Sequence, residues 1–366
     1  MSTADDLVTI WTAGVDAVIG RRAVCDALRQ HNVMRPNAVI AVGKAAASMA
    51  AAAHDAFGPL PMLIVTKHGH VKDAPQNAEI IEASHPVPDA QSLKAGARLI
   101  DAVDNMAQDT HLLVLTSGGA SALAEHLVDG LSLDDLADRT QALLASGQDI
   151  HAMNALRKDL SAIKGGKLLA RFKGQRITSL AISDVQGDDL GVIGSGIGDA
   201  PADTPFDFAP YIVASNAIAR AAAAHAAPGV VLSNTEDLYD DVVALAPRIA
   251  AQVLAAGPGL HIKGGEPTVI LPPNPGKGGR NMALALLLAR EIAGIEGVQI
   301  LVAGTDGTDG PTDAAGALVD GHTWDGSGSE ALSTANAAPW LDARGALFRS
   351  GPTGTNVMDI LIAKRT

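Results

Sequence analysis

The feature that most restricts how this chain can fold is a repeated alternation. Short apolar runs of strand length are each followed by a glycine or polar cluster, and then by a longer Ala/Leu-rich stretch of helical length. Strand, loop and helix in succession make βαβ units, which set a mainly parallel sheet under covering helices. The runs 38–42, 62–66, 79–83, 112–116, 177–182 and 211–214 read as strands, with helices after Lys44, after Asp89, after Ser121, over 134–146 and 149–172, and after Asn216. Asp89 is placed to cap its helix. Two breaks, Ala227-Pro228-Gly229 and Ala256-Gly257-Pro258-Gly259, interrupt the pattern. It resumes with strands at 259–263, 268–271, 299–303 and 346–348 and a helix from Met282. The expectation is two α/β domains: a larger Rossmann-like one over 1–235 with a mainly parallel sheet, and a second over 236–366.

Charge and cysteine usage exclude several classes of function. Lys plus Arg number 27 against 40 Asp plus Glu, a formal charge of −13. Non-specific binding to nucleic acid or to an anionic membrane needs a positive field, so neither is an expected partner. A small anionic substrate feels only its local pocket and stays open. Cys25 is the one cysteine, so an intrachain disulfide and a Cys-based metal site are both impossible. His68, His70 and His85 are loop candidates, but no H-E-x-x-H motif is present. Asp5 and Asp6 stand where a signal peptide would carry cations, which points to a cytoplasmic protein.

Polar residues fall repeatedly just after the expected strands, where open α/β sheets bind ligands. Val42-Gly43-Lys44 and Thr116-Ser117-Gly118-Gly119-Ala120-Ser121 are strand–glycine–helix junctions whose backbone N–H groups suit an anion. Neither supplies the G-x-G-x-x-G dinucleotide fingerprint, and the second is not a G-x-S-x-G elbow. In the helix expected over 149–172, Arg157, Ser161 and Lys164 fall on one face by i, i+4, i+7 spacing, beside Asn154 and Lys158. This is a cationic stripe in an acidic protein, suited to carboxylate or phosphate. Ser183-Asp184-Val185-Gln186-Gly187-Asp188-Asp189 offers carboxylates that near phosphates usually hold Mg²⁺. In the second half, Lys263 to Glu266, Asp306 to Asp313 and Ser350 to Asn356 occupy comparable positions, and Asn216 follows the last strand of the first half. Asn274 to Asn281, before the helix from Met282, is a flexible cationic loop suited to an anion, with Arg280 offering a planar fork for phosphate.

The segments VGKAAASMA (42–50), SHPVPD (84–89), SGGASAL (117–123), NALRKDLSAIKGGKL (154–168), SDVQGDDLGVIGSG (183–196), GGRNMALAL (278–286), GTDGTDGPTDAAGA (304–317) and SGPTGTNVMDILI (350–362) together resemble the glycerate 2-kinase family with a MOFRL-type C-terminal domain. Many of its members carry the label hydroxypyruvate reductase. The resemblance spans nearly the whole chain in order. It implies transfer of the ATP γ-phosphoryl group to the 2-hydroxyl of D-glycerate with Mg²⁺, in a cleft between two α/β domains. The expected partners are these small molecules, with a homodimer as the assembly considered. In these terms Lys44, Asp189 and Arg280 are the expected catalytic residues, and Asp184 and Asp189 the expected metal ligands. Ser117, Gly118, Gly119, Ser121, Asn154, Arg157, Lys158, Lys164, Asn216, Lys263, Glu266, Asp306, Thr308 and Asn356 are the expected substrate and nucleotide contacts. Arg157, Ser161 and Lys164 are expected to clamp the glycerate carboxylate. Abundant cations, amides and carboxylates suit phosphoryl transfer. An NAD(P)H-dependent hydroxypyruvate reductase and a non-catalytic anion-binding protein are the alternatives, each weaker: the first lacks the fingerprint, and the second has no need of two acidic clusters.

Overall fold

The computed structural model describes residues 3–145 and 150–366. In chain order the elements are α1 (Thr3–Ala17), α2 (Gly20–Gln30), β1 (Ala38–Val42), α3 (Ala46–Phe57), β2 (Met62–Lys67), β3 (Glu79–Ala83), α4 (Ala90–Asp104), β4 (His111–Thr116), α5 (Ala120–Leu123), α6 (Leu133–Ala145), α7 (Ile150–Asp159), β5 (Arg176–Ile182), β6 (Asp207–Ala214), α8 (Asn216–Ala226), β7 (Val231–Glu236), α9 (Val242–Ala255), β8 (Gly259–Gly265), α10 (Arg280–Glu291), β9 (Val298–Gly304), β10 (Gly316–Asp320), α11 (Gly328–Ser333), α12 (Ala337–Asp342), β11 (Leu347–Phe348) and β12 (Asp359–Arg365). They form two compact units, Gly20–Ala214 and Met1–Ile19 with Ser215–Thr366. No helix among the described residues is long and apolar enough to cross a membrane.

The unit Gly20–Ala214 is built on a six-stranded sheet in the order β3-β2-β1-β4-β5-β6, with every neighbouring pair parallel. This is the doubly wound order of nucleotide-binding folds. Successive strands run outward in one direction from β1 and in the other from β4, so the β1/β4 boundary is the topological switch point. A strand buried on both faces must be largely apolar: β1 is so throughout, and β4 is so from Leu112 to Leu115 between His111 and Thr116. The core joins Ile40, Val42, Leu112 and Val114 to Leu99 and Leu123, and Phe172 meets Phe206 edge to face at 5.2 Å. Asp89 does cap α4: its carboxylate accepts from the Ser92 N–H at 3.0 Å, while the Ser92 hydroxyl accepts from the Asp89 N–H.

The other unit has a six-stranded mixed sheet, β11-β10-β9-β12-β8-β7, in which only β7 and β8 run parallel. Its core is aliphatic, with the Leu-rich face of α10 packed on α9 and on β9 and β10. The helix α1 belongs here because small residues let it lie close on α8: a Cβ on Gly14 would stand 2.8 Å from the Ala219 carbonyl. The division expected at 235/236 therefore moves. The segment from Ser215 joins the second unit because α8 packs against α1 and β7 hydrogen-bonds β8, and the first nineteen residues join it through α1.

Two further expectations differ from the structure. No strand forms at 268–271; Pro267, Pro272 and Pro273 remove backbone donors, and Ile270 and Leu271 face solvent. The helix expected over 149–172 ends at Asp159, and Ser161 instead bridges to Leu127. Gly165 and Gly166, both at positive φ, turn the chain beyond it. The expected helix ends at Ser146 and Asp149 lie outside the described residues.

Candidate active site

In the register of β1 and β4, Val42 pairs with Thr116, so residues 43–44 and 117–118 leave the switch point side by side. The two junctions interlock. The Lys44 N–H donates to the Gly118 carbonyl at 3.0 Å, and the Ala45 N–H to the Ser117 hydroxyl at 3.0 Å. Gly43 has a φ of 134°, and a Cβ there would overlap Ser117, so only glycine permits the contact. The Lys44 side chain crosses Gly119, with its Cγ and Cε 3.1 and 3.2 Å from where a Cβ on Gly119 would stand. Among the described residues the Lys44 ammonium has no carboxylate partner. A half-buried cation over a glycine loop at the switch point has the charge and backbone that an anion would need. Ser121 serves the loop's shape, its hydroxyl 2.8 Å from that of Ser195.

Around this loop stand groups of both signs. The Asp184 carboxylate lies directly against Gly118, where any side chain would collide with it. Asp189 is exposed and accepts the Gly191 N–H at 2.8 Å. The position of a Cβ on Gly191 is 3.2 Å from an Asp189 oxygen and 3.3 Å from an Asp199 oxygen, so two carboxylates flank one glycine-sized space. Burial pushes the Asp199 carboxyl up, the Asp189 charge adds to this, and the Lys158 charge opposes it. Among the described residues no cluster of three or more His, Cys, Asp or Glu could cage a metal. Magnesium in kinases is held by one or two carboxylates together with substrate phosphates, and this donor set fits that need. Asp199 escaped the sequence reading because it stands outside the 183–189 cluster.

The cationic stripe does not exist as a helix face. Arg157 and Lys158 are half-buried on α7, as is Asn154. Ser161 and Lys164 lie beyond the helix end and turn inward to Glu125, which is fully buried. The Ser161 hydroxyl donates to one Glu125 oxygen at 2.5 Å, and the Lys164 ammonium pairs with the other. A buried ammonium keeps its charge only beside such a partner, so Lys164 is a structural cation and offers nothing to a ligand.

The residues expected from the second half gather at one end of the central strands of the mixed sheet, where Asp359 begins β12 opposite Gly265 of β8 and Gly304 of β9. Arg280 opens α10 and is held there by acids: Nε donates to Asp359 at 2.6 Å, and a second nitrogen meets Glu266 at 2.8 Å. Part of its fork stays unused, and a third of the side chain is exposed at 34%. Lys263 is buried and paired with Asp237 at 2.7 Å. Asn216 is spent on protein contacts: its amide donates to the Val357 and Asp359 carbonyls, and its oxygen accepts from Arg220. Lys263 and Asn216 are thus framework rather than free ligand contacts. Asp306 accepts from the Thr308 N–H and hydroxyl in a local turn, and Asn356 accepts from the Met358 N–H in another. Asp359 itself was missed in the sequence, although a lone acid inside the apolar run Val357–Ile362 signals a buried charge needing partners.

Asp309 caps α10 by accepting the Asn281 and Met282 N–H groups at 3.2 and 2.8 Å. Burial outweighs those hydrogen bonds, and with the nearby Asp359 charge it pushes the Asp309 carboxyl from 3.8 up to about 7. An acid raised in this way binds its proton more tightly when folded, so its ionisation between about pH 4 and pH 7 lowers stability, by at most roughly 1.4 kcal/mol per pH unit. Asp309→Asn keeps a capping oxygen and removes the titration. Its melting temperature is expected to fall less than the wild-type value between pH 5 and pH 7.5. Parallel curves for the two proteins would contradict this account of Asp309.

Comparison with known proteins agrees with this architecture. Residues 6–230 match a family model described as a domain of unknown function (DUF4147), and residues 259–359 match the MOFRL family. The D-glycerate 2-kinase of Thermotoga maritima is 35% identical, over 97% of this chain and 96% of its own. A relative from Agrobacterium vitis, provisionally named hydroxypyruvate reductase, is 36% identical over 88% of this chain and 97% of its own. The crystal structure of glycerate kinase from Thermotoga maritima superposes with a TM-score of 0.92 at 33% identity, covering all of both chains. With an N-terminal model over more than half its length, a MOFRL domain and near full-length kinase relatives, this chain belongs to the glycerate 2-kinase family.

Proposed function

We propose that this protein transfers the γ-phosphoryl group of ATP to the 2-hydroxyl of D-glycerate, giving 2-phosphoglycerate and ADP. The observation that carries the reading is Lys44, an ammonium without a partner among the described residues, lying across Gly119 at the switch point of a doubly wound sheet. Phosphoryl transfer asks a protein chiefly to position two substrates and to offset the charge on the transferring group. Lys44 and the loop 117–121 supply a cation and glycine backbone for the phosphates, and Arg157 and Lys158 add positive charge for phosphate or carboxylate. Asp184 and Asp189 would hold Mg²⁺, which offsets phosphate charge when bound. In the other unit Arg280, fixed by Asp359 and Glu266, keeps part of its fork for an anion. The names of the kinase relatives support the substrate pair. The proposal includes a cytoplasmic enzyme, acting alone or as a homodimer.

The test is a pair of assays on the same preparation. ADP release with ATP, Mg²⁺ and D-glycerate is expected, and it should vanish on chelation. NAD(P)H oxidation with hydroxypyruvate is expected to stay at background. Oxidation without ADP release would replace the kinase with the reductase reading.

A further inference from the structure

The loop 84–89 has no part in the reaction as described so far, yet it is built with care. It follows β3 and is tied down at both ends: the Ser84 hydroxyl donates to Asp89 at 2.8 Å, and Asp89 caps α4. Between these anchors His85 lies half-buried against the anion site. Its Cδ2 is 3.1 Å from the position of a Cβ on Gly119, the same point that the Lys44 stem approaches. Neither ring nitrogen has a hydrogen-bond partner among the described residues. Burial comes first, and then the charges of Lys44, Lys67, Arg157 and His70 push the imidazole down to about 4. The nearest acid of its own loop, Asp89, is already engaged by Ser84, Ser92 and His68.

His85 is therefore uncharged at neutral pH, with one N–H and one lone pair to offer. Of the side chains that act on it, Lys44, Lys67 and Arg157 are cations, which can only donate. Phosphate and carboxylate oxygens are matched by donors alone. An alcohol is different, because it also has a proton to give and needs an acceptor. We propose that His85 accepts a hydrogen bond from the 2-hydroxyl of the glycerate substrate and so selects 2-hydroxy acids. This rests on the kinase reading above and assigns the hydroxyl subsite to the β3–α4 loop.

The experiment compares D-glycerate with 3-hydroxypropanoate, the same acid without its 2-hydroxyl, by calorimetric binding without nucleotide. His85→Phe keeps a flat ring and removes the acceptor. It is expected to weaken D-glycerate by about tenfold, the worth of one hydrogen bond, and to leave 3-hydroxypropanoate within about twofold. The KM for ATP should change by less than about twofold, and His85→Gln should recover part of the loss. Equal weakening of both acids would make His85 a packing or carboxylate residue, and no weakening would remove it from the site. Should His85→Phe not fold, nitrogen-15 NMR of the wild-type ring decides. A shift of the acceptor nitrogen with D-glycerate but not with 3-hydroxypropanoate supports the proposal, and equal or absent shifts overturn it. Failure of the kinase reading looks different: the wild-type protein would release no ADP with D-glycerate, whatever His85 does.

Discussion

Replacing Lys44 with Ala is expected to lower turnover by roughly two to four orders of magnitude, the range for losing a well-placed electrostatic stabiliser. The melting temperature should barely change. Alanine keeps the backbone N–H that donates to Gly118, so the interlock of the two junctions survives. The ammonium has no protein partner among the described residues to leave behind. What disappears is charge opposite the transferring group, needed more as negative charge develops than when the substrates first bind. Turnover measured by ADP release, beside a thermal melt of the same variant, checks both halves. Near-normal turnover would put Lys44 outside the reaction.

Lys164 should behave in the opposite way. Lys164→Met leaves the Glu125 carboxylate buried without its cation, and removing one partner of such a pair costs about 3–5 kcal/mol. Urea unfolding should show that loss as a lower midpoint. Glu125→Gln combined with Lys164→Met should recover a good part of it, because no buried charge then remains. In the folded fraction the KM for D-glycerate should stay close to the wild-type value. A stable Lys164→Met protein with a much raised KM would return Lys164 to the substrate site.

The contrast between these two lysines shows what was legible in the sequence. Strand, glycine and helix along 38–46 identify a junction, and the cation there falls where the fold needs none. Parallel register then places it beside 117–118, which any sheet centred on these two apolar strands would do. Lys164 carries the same charge in an equally cationic stretch. Its fate depends on Glu125, thirty-nine residues away, and on a helix that stops at Asp159. The expected helix was carried past Asp159 and on through Gly165 and Gly166, a pair at positive φ that turns the chain instead. Partner choice over long separations decided the rest: Lys263 with Asp237, Arg280 with Asp359, Asn216 with the Val357 and Asp359 carbonyls. The polar edge strand β7 lacked an apolar signature, and its assignment to the second sheet moved the domain boundary.

The most direct test of the central claim is phosphorus NMR of the product formed from ATP, Mg²⁺ and D-glycerate by the wild-type enzyme. Which hydroxyl reacts is set by which oxygen is held in line with the γ-phosphorus, so the position of the new ester reports on the site as a whole. The account predicts a single new phosphomonoester resonance, that of 2-phosphoglycerate, growing in step with ADP. A 3-phosphoglycerate resonance, or ATP left unchanged beside D-glycerate, would contradict it.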